Sequence, residues 1–179
     1  MKFLHLLAVL YFAAALSAGQ SMPAIKGKAL DNSEVSLPAA GGQQILILIV
    51  GFSQKSGKLC EVWSKAVSAD YRADSRVAYF SLPVLEDAPS LFRPLIVRGM
   101  RKGVPADEQR RFVPIYSNEP EWKTFVHFTA PDDAYLVVAG ADGHPVWQAH
   151  GAYSDAGYRD LKAAVADLLK KSSSSNPPR

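Results

Sequence analysis

Residues 45–51 (ILILIVG) form an uninterrupted branched apolar run, the pattern of a strand covered on both faces. Downstream, Leu59, Val62, Trp63, Ala66 and Val67 recur at i, i+3, i+4, i+7 and i+8. That spacing predicts an amphipathic helix beginning near Ser56, with this stripe laid on the sheet. Residues 77–82 (VAYFSL) read as a second buried strand, so the three elements make a βαβ unit. Ahead of it, residues 25–38 (IKGKALDNSEVSLP) alternate loosely around the turn-forming Asp31, Asn32 and Ser33, which predicts a short hairpin.

The pattern then changes. Ser90 is placed to cap a helix carrying Leu91, Phe92, Leu95, Ile96 and Met100. Pro94 falls in its first turn, and Gly103 with Pro105 supplies the stop. Residues 112–116 (FVPIY) predict a strand whose Pro114 confines it to an edge or irregular position, and Ser117 a cap for a short helix through Trp122 and Phe125. Residues 134–139 (AYLVVA) and 145–149 (PVWQA) flank Asp142-Gly143, a hairpin signal. A last helix is expected from Ser154 to Lys170, with Tyr158, Leu161, Ala164, Val165, Leu168 and Leu169 on one face. Residues 171–179 lack apolar side chains and read as a disordered tail.

The chain has 179 residues, 48% of them hydrophobic, enough for one well-cored domain. A formal charge of +3 is too small for a nucleic-acid-binding composition. The basicity is local: between residues 90 and 111 six basic residues (Arg93, Arg98, Arg101, Lys102, Arg110, Arg111) stand against two acids, Asp107 and Glu108. A single cysteine, Cys60, excludes an intramolecular disulfide, a CxxC pair and a cysteine-rich zinc site. At the start, Lys2, an apolar run over residues 3–16 and the small Ser17, Ala18 and Gly19 read as an export signal over residues 1–18. The run is shorter than the roughly 20 residues a spanning helix needs, so a domain at 19–170 without a membrane span, periplasmic or secreted, is expected.

The order of elements resembles the α/β thioredoxin-like three-layer fold in its peroxiredoxin and cytochrome-maturation form, with an N-terminal β-hairpin and a basic helical insertion. IKGKALDNSEVSLP, the F, Q and W of GFSQKSGKLCEVW, LFRPLIVRGMRKGVP (residues 91–105) and AYLVVAGADGHPVWQAHG (residues 134–151) are similar to the mitochondrial ATP synthase assembly factors called ATPase complex assembly protein 10 in yeast, and to their bacterial relatives. That resemblance implies a redox-inactive thioredoxin fold assisting biogenesis of a membrane complex. The yeast member acts on the proton-channel subunit, a matrix-side role that does not carry over to an exported protein.

Cys60 is the one weak catalytic candidate. It falls early in the helix after the central strand, where a helix N-terminus and Lys58 could lower a thiol pKa. The peroxiredoxin pattern would put a threonine three residues earlier and a proline near the strand end, where Gly57 and Ser53 stand. Cys60 also borders the apolar stripe, so it reads either as a packing residue or as a one-cysteine peroxidase or redox sensor. The place of the substrate-contacting cis-proline of thioredoxin-like enzymes falls on Ala134, where a trans bond is expected; Pro131 is three residues early. His127, His144 and His150 lack ligand spacing and read as surface or locally hydrogen-bonded residues, and Asp132-Asp133 as a turn. The six basic residues read as a solvated face, as a contact for an acidic protein or anionic lipid surface, or as a small-anion site. Neither a cofactor nor a metal is implied. The expectation is an exported, redox-inactive binding or assembly factor with a protein partner, membrane-associated or acidic; the alternative is a thiol peroxidase or sensor using Cys60.

Overall fold

A computed structural model describes residues 20–39 and 44–174. The signal expected at 1–18 and the tail beyond residue 174 lie outside the described residues. The elements are strands β1 (Ile25–Lys28), β2 (Glu34–Leu37) and β3 (Ile45–Gly51), helix α1 (Gln54–Tyr71), strand β4 (Val77–Pro83), helix α2 (Arg93–Gly103), a 3-10 turn at Gln109–Arg111, helix α3 (Glu119–Phe125), strands β5 (Ala134–Ala139) and β6 (Pro145–His150), and helix α4 (Asp155–Ser174).

The main sheet has the order β4-β3-β5-β6. β3 is parallel to β4 and antiparallel to β5, and β5 is antiparallel to β6. All seven residues of β3 are buried, as a strand between two covered faces requires. The two-residue period divides the run cleanly. Ile45, Ile47 and Ile49 pack with Cys60, Trp63 and Val67 of α1 and with Tyr158, Leu161 and Val165 of α4. Leu46, Leu48 and Val50 pack with Ile25 and Leu37 of the β1–β2 hairpin and with Trp122 and Phe125 of α3. Helices thus cover one face, and the hairpin with α3 covers the other.

Both hairpin turns form as expected. Asp31 accepts hydrogen bonds from the Ser33 amide (2.9 Å) and hydroxyl (2.6 Å), with Asn32 left-handed at φ 70°. Gly143, at φ 80°, closes the β5–β6 turn. A Cβ there would stand 2.7 Å from Met22 Cγ, so only glycine admits the segment leading into β1.

Several boundaries differ from expectation. α1 starts at Gln54 because Ser53, not a residue near Ser56, caps it. Its buried stripe is Ser56, Cys60, Trp63 and Val67, whereas Val62 is 48% exposed; the helix sits about one residue further round than the apolar count implied. α2 starts at Arg93 after Phe92, without a side-chain cap from Ser90. The apolar residues of this segment are not all covered: Leu91 and Leu95 are 82% and 67% exposed, while Ile96, Val97 and Met100 are half-buried. Residues 112–115 run parallel beside β4, with Val113 and Ile115 amides donating to Ser81 and Pro83 carbonyls (both 2.9 Å) and Pro114 between them. α3 begins after Asn118, which is left-handed, rather than at Ser117. Ser154 caps α4 through the Gly157 amide (3.1 Å), and the helix continues past Lys170 to Ser174.

Candidate functional site

β3 delivers the chain to the N-terminus of α1 at one pole of the sheet. Ser53 is extended (φ −143°, ψ 168°) and its Oγ accepts from the Ser56 amide at 3.0 Å; in return Ser56 Oγ accepts from the Ser53 amide at 2.9 Å. This reciprocal cap satisfies two donors that a helix start leaves open. The Ser53 hydroxyl donates to Asp132 (2.9 Å), which also takes Lys55 Nζ at 3.1 Å. The Lys55 and Ser53 hydrogen bonds hold the Asp132 carboxyl below its ordinary range. Beside it, Asp133 pairs with His150 Nδ1 at 2.7 Å, and the imidazole stacks on Tyr135 at 5.6 Å. The Tyr135 hydroxyl accepts from the Thr129 and Ala130 amides, tying the loop before β5 to this pole.

The spacing Ser53-x-x-Ser56 has a chemical meaning. Thioredoxin-type dithiols use C-x-x-C at a helix N-terminus, where the dipole stabilises a thiolate. Here the capping residue and the residue three further on are hydroxyls engaged in the cap. Sequence patterning gave Ser56 only as a helix start and Ser53 only as the residue in place of a peroxiredoxin proline; their three-residue spacing straight after the central strand was the available signal. Ala134 is the first residue of β5, opposite Gly51 in register, and the bond before it is trans, since the single cis peptide among the described residues precedes Pro38.

Cys60 lies in the second turn of α1, away from the pole surface. It is 7% exposed, and its Sγ is 3.6 Å from the Val50 carbonyl. A Cβ on Gly51 would stand 3.0 Å from Cys60 Sγ and 2.9 Å from Ser56 Oγ, so glycine at the end of β3 lets the helix close over the thiol. Burial pushes its pKa up from the usual 9 to about 12. Because each pKa unit is a tenfold change in thiolate at fixed pH, iodoacetamide at pH 8 should alkylate Cys60 at least about 100-fold more slowly in the folded chain than in guanidinium. Equal rates would show the thiol open. The folded state keeps this proton where the unfolded chain loses it, so the Cys60 contribution to stability falls as pH rises from 9 toward 12.

The insertion distributes its six basic residues over different tasks. Arg93 donates to the carbonyls of Ala88 (2.9 Å) and Glu86 (2.7 Å) and lies 5.6 Å from the Tyr116 ring centre. Arg101 reaches the hairpin turn, donating to the Leu30 carbonyl and to Asn32 Oδ1. Arg111 lies over the Tyr79 ring at 4.5 Å and 3.8 Å from Glu108. Arg98, Lys102 and Arg110 are exposed. The six therefore do not form one face: three are structural ties and three present charge outward.

Glu108 is the hub beneath the insertion. It accepts from Arg72 (2.6 Å), Ser68 (3.0 Å) and the Tyr79 hydroxyl (2.9 Å). These groups border a cleft of about 860 Å³ between α1 and the insertion, with Met100, Val104 and Phe112 on its far wall. Among the described residues no group of three His, Cys, Asp or Glu side chains is arranged to hold a metal ion.

This arrangement is the thioredoxin-like α/β fold. Solved structures similar to it include the exposed lipoprotein thioredoxin of Streptococcus pneumoniae (TM-score 0.56, 12% identity, 79% of this chain and 99% of that one). The thioredoxin domain of a thiol-disulfide oxidoreductase from Bacteroides vulgatus is another (0.52, 16%, 84% and 99%). A third is BsSco, a member of the Sco family of cytochrome c oxidase assembly proteins (0.56, 15%, 86% and 94%). No family model and no curated protein sequence matches the chain.

Proposed function

We propose that this chain is an exported, redox-inactive thioredoxin-like protein that works by binding, as an assembly factor for a membrane complex. The observation that carries the reading is the pole of the sheet: hydroxyls closed into a helix cap stand where this fold places its reactive thiols, while the lone thiol is buried and held protonated. A chain so built lacks the attacking and resolving sulfurs that disulfide exchange needs. The likeness of residues 91–105 and 134–151 to ATP synthase assembly factors supports the assembly role, and the fold shared with an Sco-family protein is in keeping with it. Export rests on the pattern of residues 1–18. The insertion, with Arg98, Lys102 and Arg110 exposed on its surface, is the part of the chain best suited to a partner.

The test combines chemistry with capture. The chain freed of residues 1–18 should neither reduce insulin disulfides nor consume peroxide faster than a free thiol. Crosslinking in membranes of the producing cell should recover it with subunits of a membrane complex, and Cys60→Ser should keep that association. Rapid oxidation of Cys60 to a sulfenic acid with catalytic turnover of peroxide would replace the binding role with a peroxidase.

A further inference from the structure

We propose that α2 with the turn before it is a membrane-surface anchor, seating the domain on an anionic phospholipid layer. This names the surface on which the binding protein works and so rests on the reading above. Leu95, Arg98 and Lys102 stand at i, i+3 and i+7, so they form a single line on one side of the helix, and Leu91 lies in the turn just ahead of it. All four are exposed, and Phe92 beside them is 54% exposed. The line is apolar at its N-terminal end and cationic at its C-terminal end. From Ser90 to Ala106 there is no acidic residue to neutralise it.

The orientation is set from beneath. Arg93 ties the start of the helix to the carbonyls of Glu86 and Ala88, and Arg101 ties its end to Leu30 and Asn32 of the hairpin turn. Ile96, Val97 and Met100 turn partly inward. The opposite side is thereby held toward solvent with Leu91, Phe92 and Leu95 exposed on it, and Tyr116, 42% exposed, lies near Arg93 at its edge. A protein partner would have to supply a pocket for each projecting side chain and a carboxylate for each cation. A headgroup layer accepts apolar tips along a helix lying in its plane and offers phosphates at every point along it. Exposed apolar residues in line with cations, and no acidic residue from Ser90 to Ala106, suit that layer best.

The test is co-sedimentation of the chain freed of residues 1–18 with vesicles of phosphatidylglycerol and phosphatidylcholine, against vesicles of phosphatidylcholine alone. Binding to the anionic vesicles is expected, weakening as sodium chloride screens the charge. Arg98→Gln with Lys102→Gln, and separately Phe92→Ser with Leu95→Ser, should each lower that binding at least about tenfold. Melting temperatures should stay within about 2 °C of the parent, because these side chains are solvent-exposed. The inference is overturned if the parent chain ignores anionic vesicles, binds the neutral ones equally well, or keeps its binding in both variants. If vesicles are ignored while the charge variant loses a crosslinked protein partner, the surface belongs to an acidic protein; the lipid inference then fails and the binding role stands. Disulfide-exchange activity would instead overturn the binding role, whatever the vesicles show.

Discussion

Replacing both Ser53 and Ser56 by cysteine is expected to create a reactive dithiol where the chain now has a helix cap. The two Cα atoms are three residues apart at the start of a helix, within the roughly 4.4–6.8 Å that a disulfide spans. Oxidised glutathione should therefore convert the double variant to an intramolecular disulfide. In its reduced form the thiol introduced at position 53 gains the helix N-terminus and Lys55 as stabilisers of a thiolate. Asp132, 2.9 Å from the present Ser53 hydroxyl, opposes them. Even with that opposition its alkylation at pH 7 should exceed that of Cys60, whose pKa is about 12, by about a thousandfold or more. Adding Asp132→Asn should raise the rate further. Thiol counting before and after oxidation, with peptide mapping, reads the result. A double variant that stays reduced in oxidised glutathione would mean that the pole lacks the geometry assigned to it.

The reciprocal cap of Ser53 and Ser56 has no hydrophobic pattern to announce it, unlike the elements around it. The continuous run of β3, the Asp-Gly turn before β6 and the Tyr158, Leu161, Val165 stripe of α4 are local signals, and each led to the element found. A strand with both faces covered, followed by a helix and a second such strand, leaves few alternatives to a layered α/β fold. The rotation of α1 was less accessible. Val62 completes an apolar spacing on paper, yet the helix presents Ser56 and Cys60 inward, because the glycine at the end of β3 admits close approach only there.

The site was legible only in part. Sequence patterning marks α2 as amphipathic but carries no information on what its apolar side meets, and Leu91, Phe92 and Leu95 stay exposed while Ile96, Val97 and Met100 are half-buried. The basic cluster looked uniform because charge is additive along a sequence, whereas reach is not. Arg101 finds a carbonyl and Asn32 some seventy residues earlier in the chain. Glu108 gathers Ser68 of α1, Arg72 just after it and Tyr79 of β4, a convergence with no local motif to announce it.

That convergence makes Glu108→Ala the substitution expected to cost the fold most per atom removed outside the core. Arg72 is about half exposed, so its ion pairs with Glu108 and Asp107 (2.9 Å) contribute little by themselves. The cost comes from the half-buried side. Truncating Glu108 takes away the acceptor of the Ser68 hydroxyl, leaves the Tyr79 hydroxyl with Ser68 Oγ alone (3.0 Å), and leaves Arg111, only 19% exposed along its side chain, over the Tyr79 ring without its anion. Removing the partner of a partly enclosed charge and of a hydroxyl costs about 2–4 kcal/mol, a fall of about 5–12 °C in melting temperature for a domain of this size. Glu108→Gln keeps an acceptor for Tyr79 and Ser68 and should cost about half as much. The loss should be felt first where the insertion rejoins the sheet. The Val113 and Ile115 amides, which hold residues 112–115 against β4, should exchange faster with solvent than those of β3 and β5. A Glu108→Ala protein that melts with the parent and protects those two amides equally would show that the apolar wall of the cleft, not the carboxylate, holds the insertion in place.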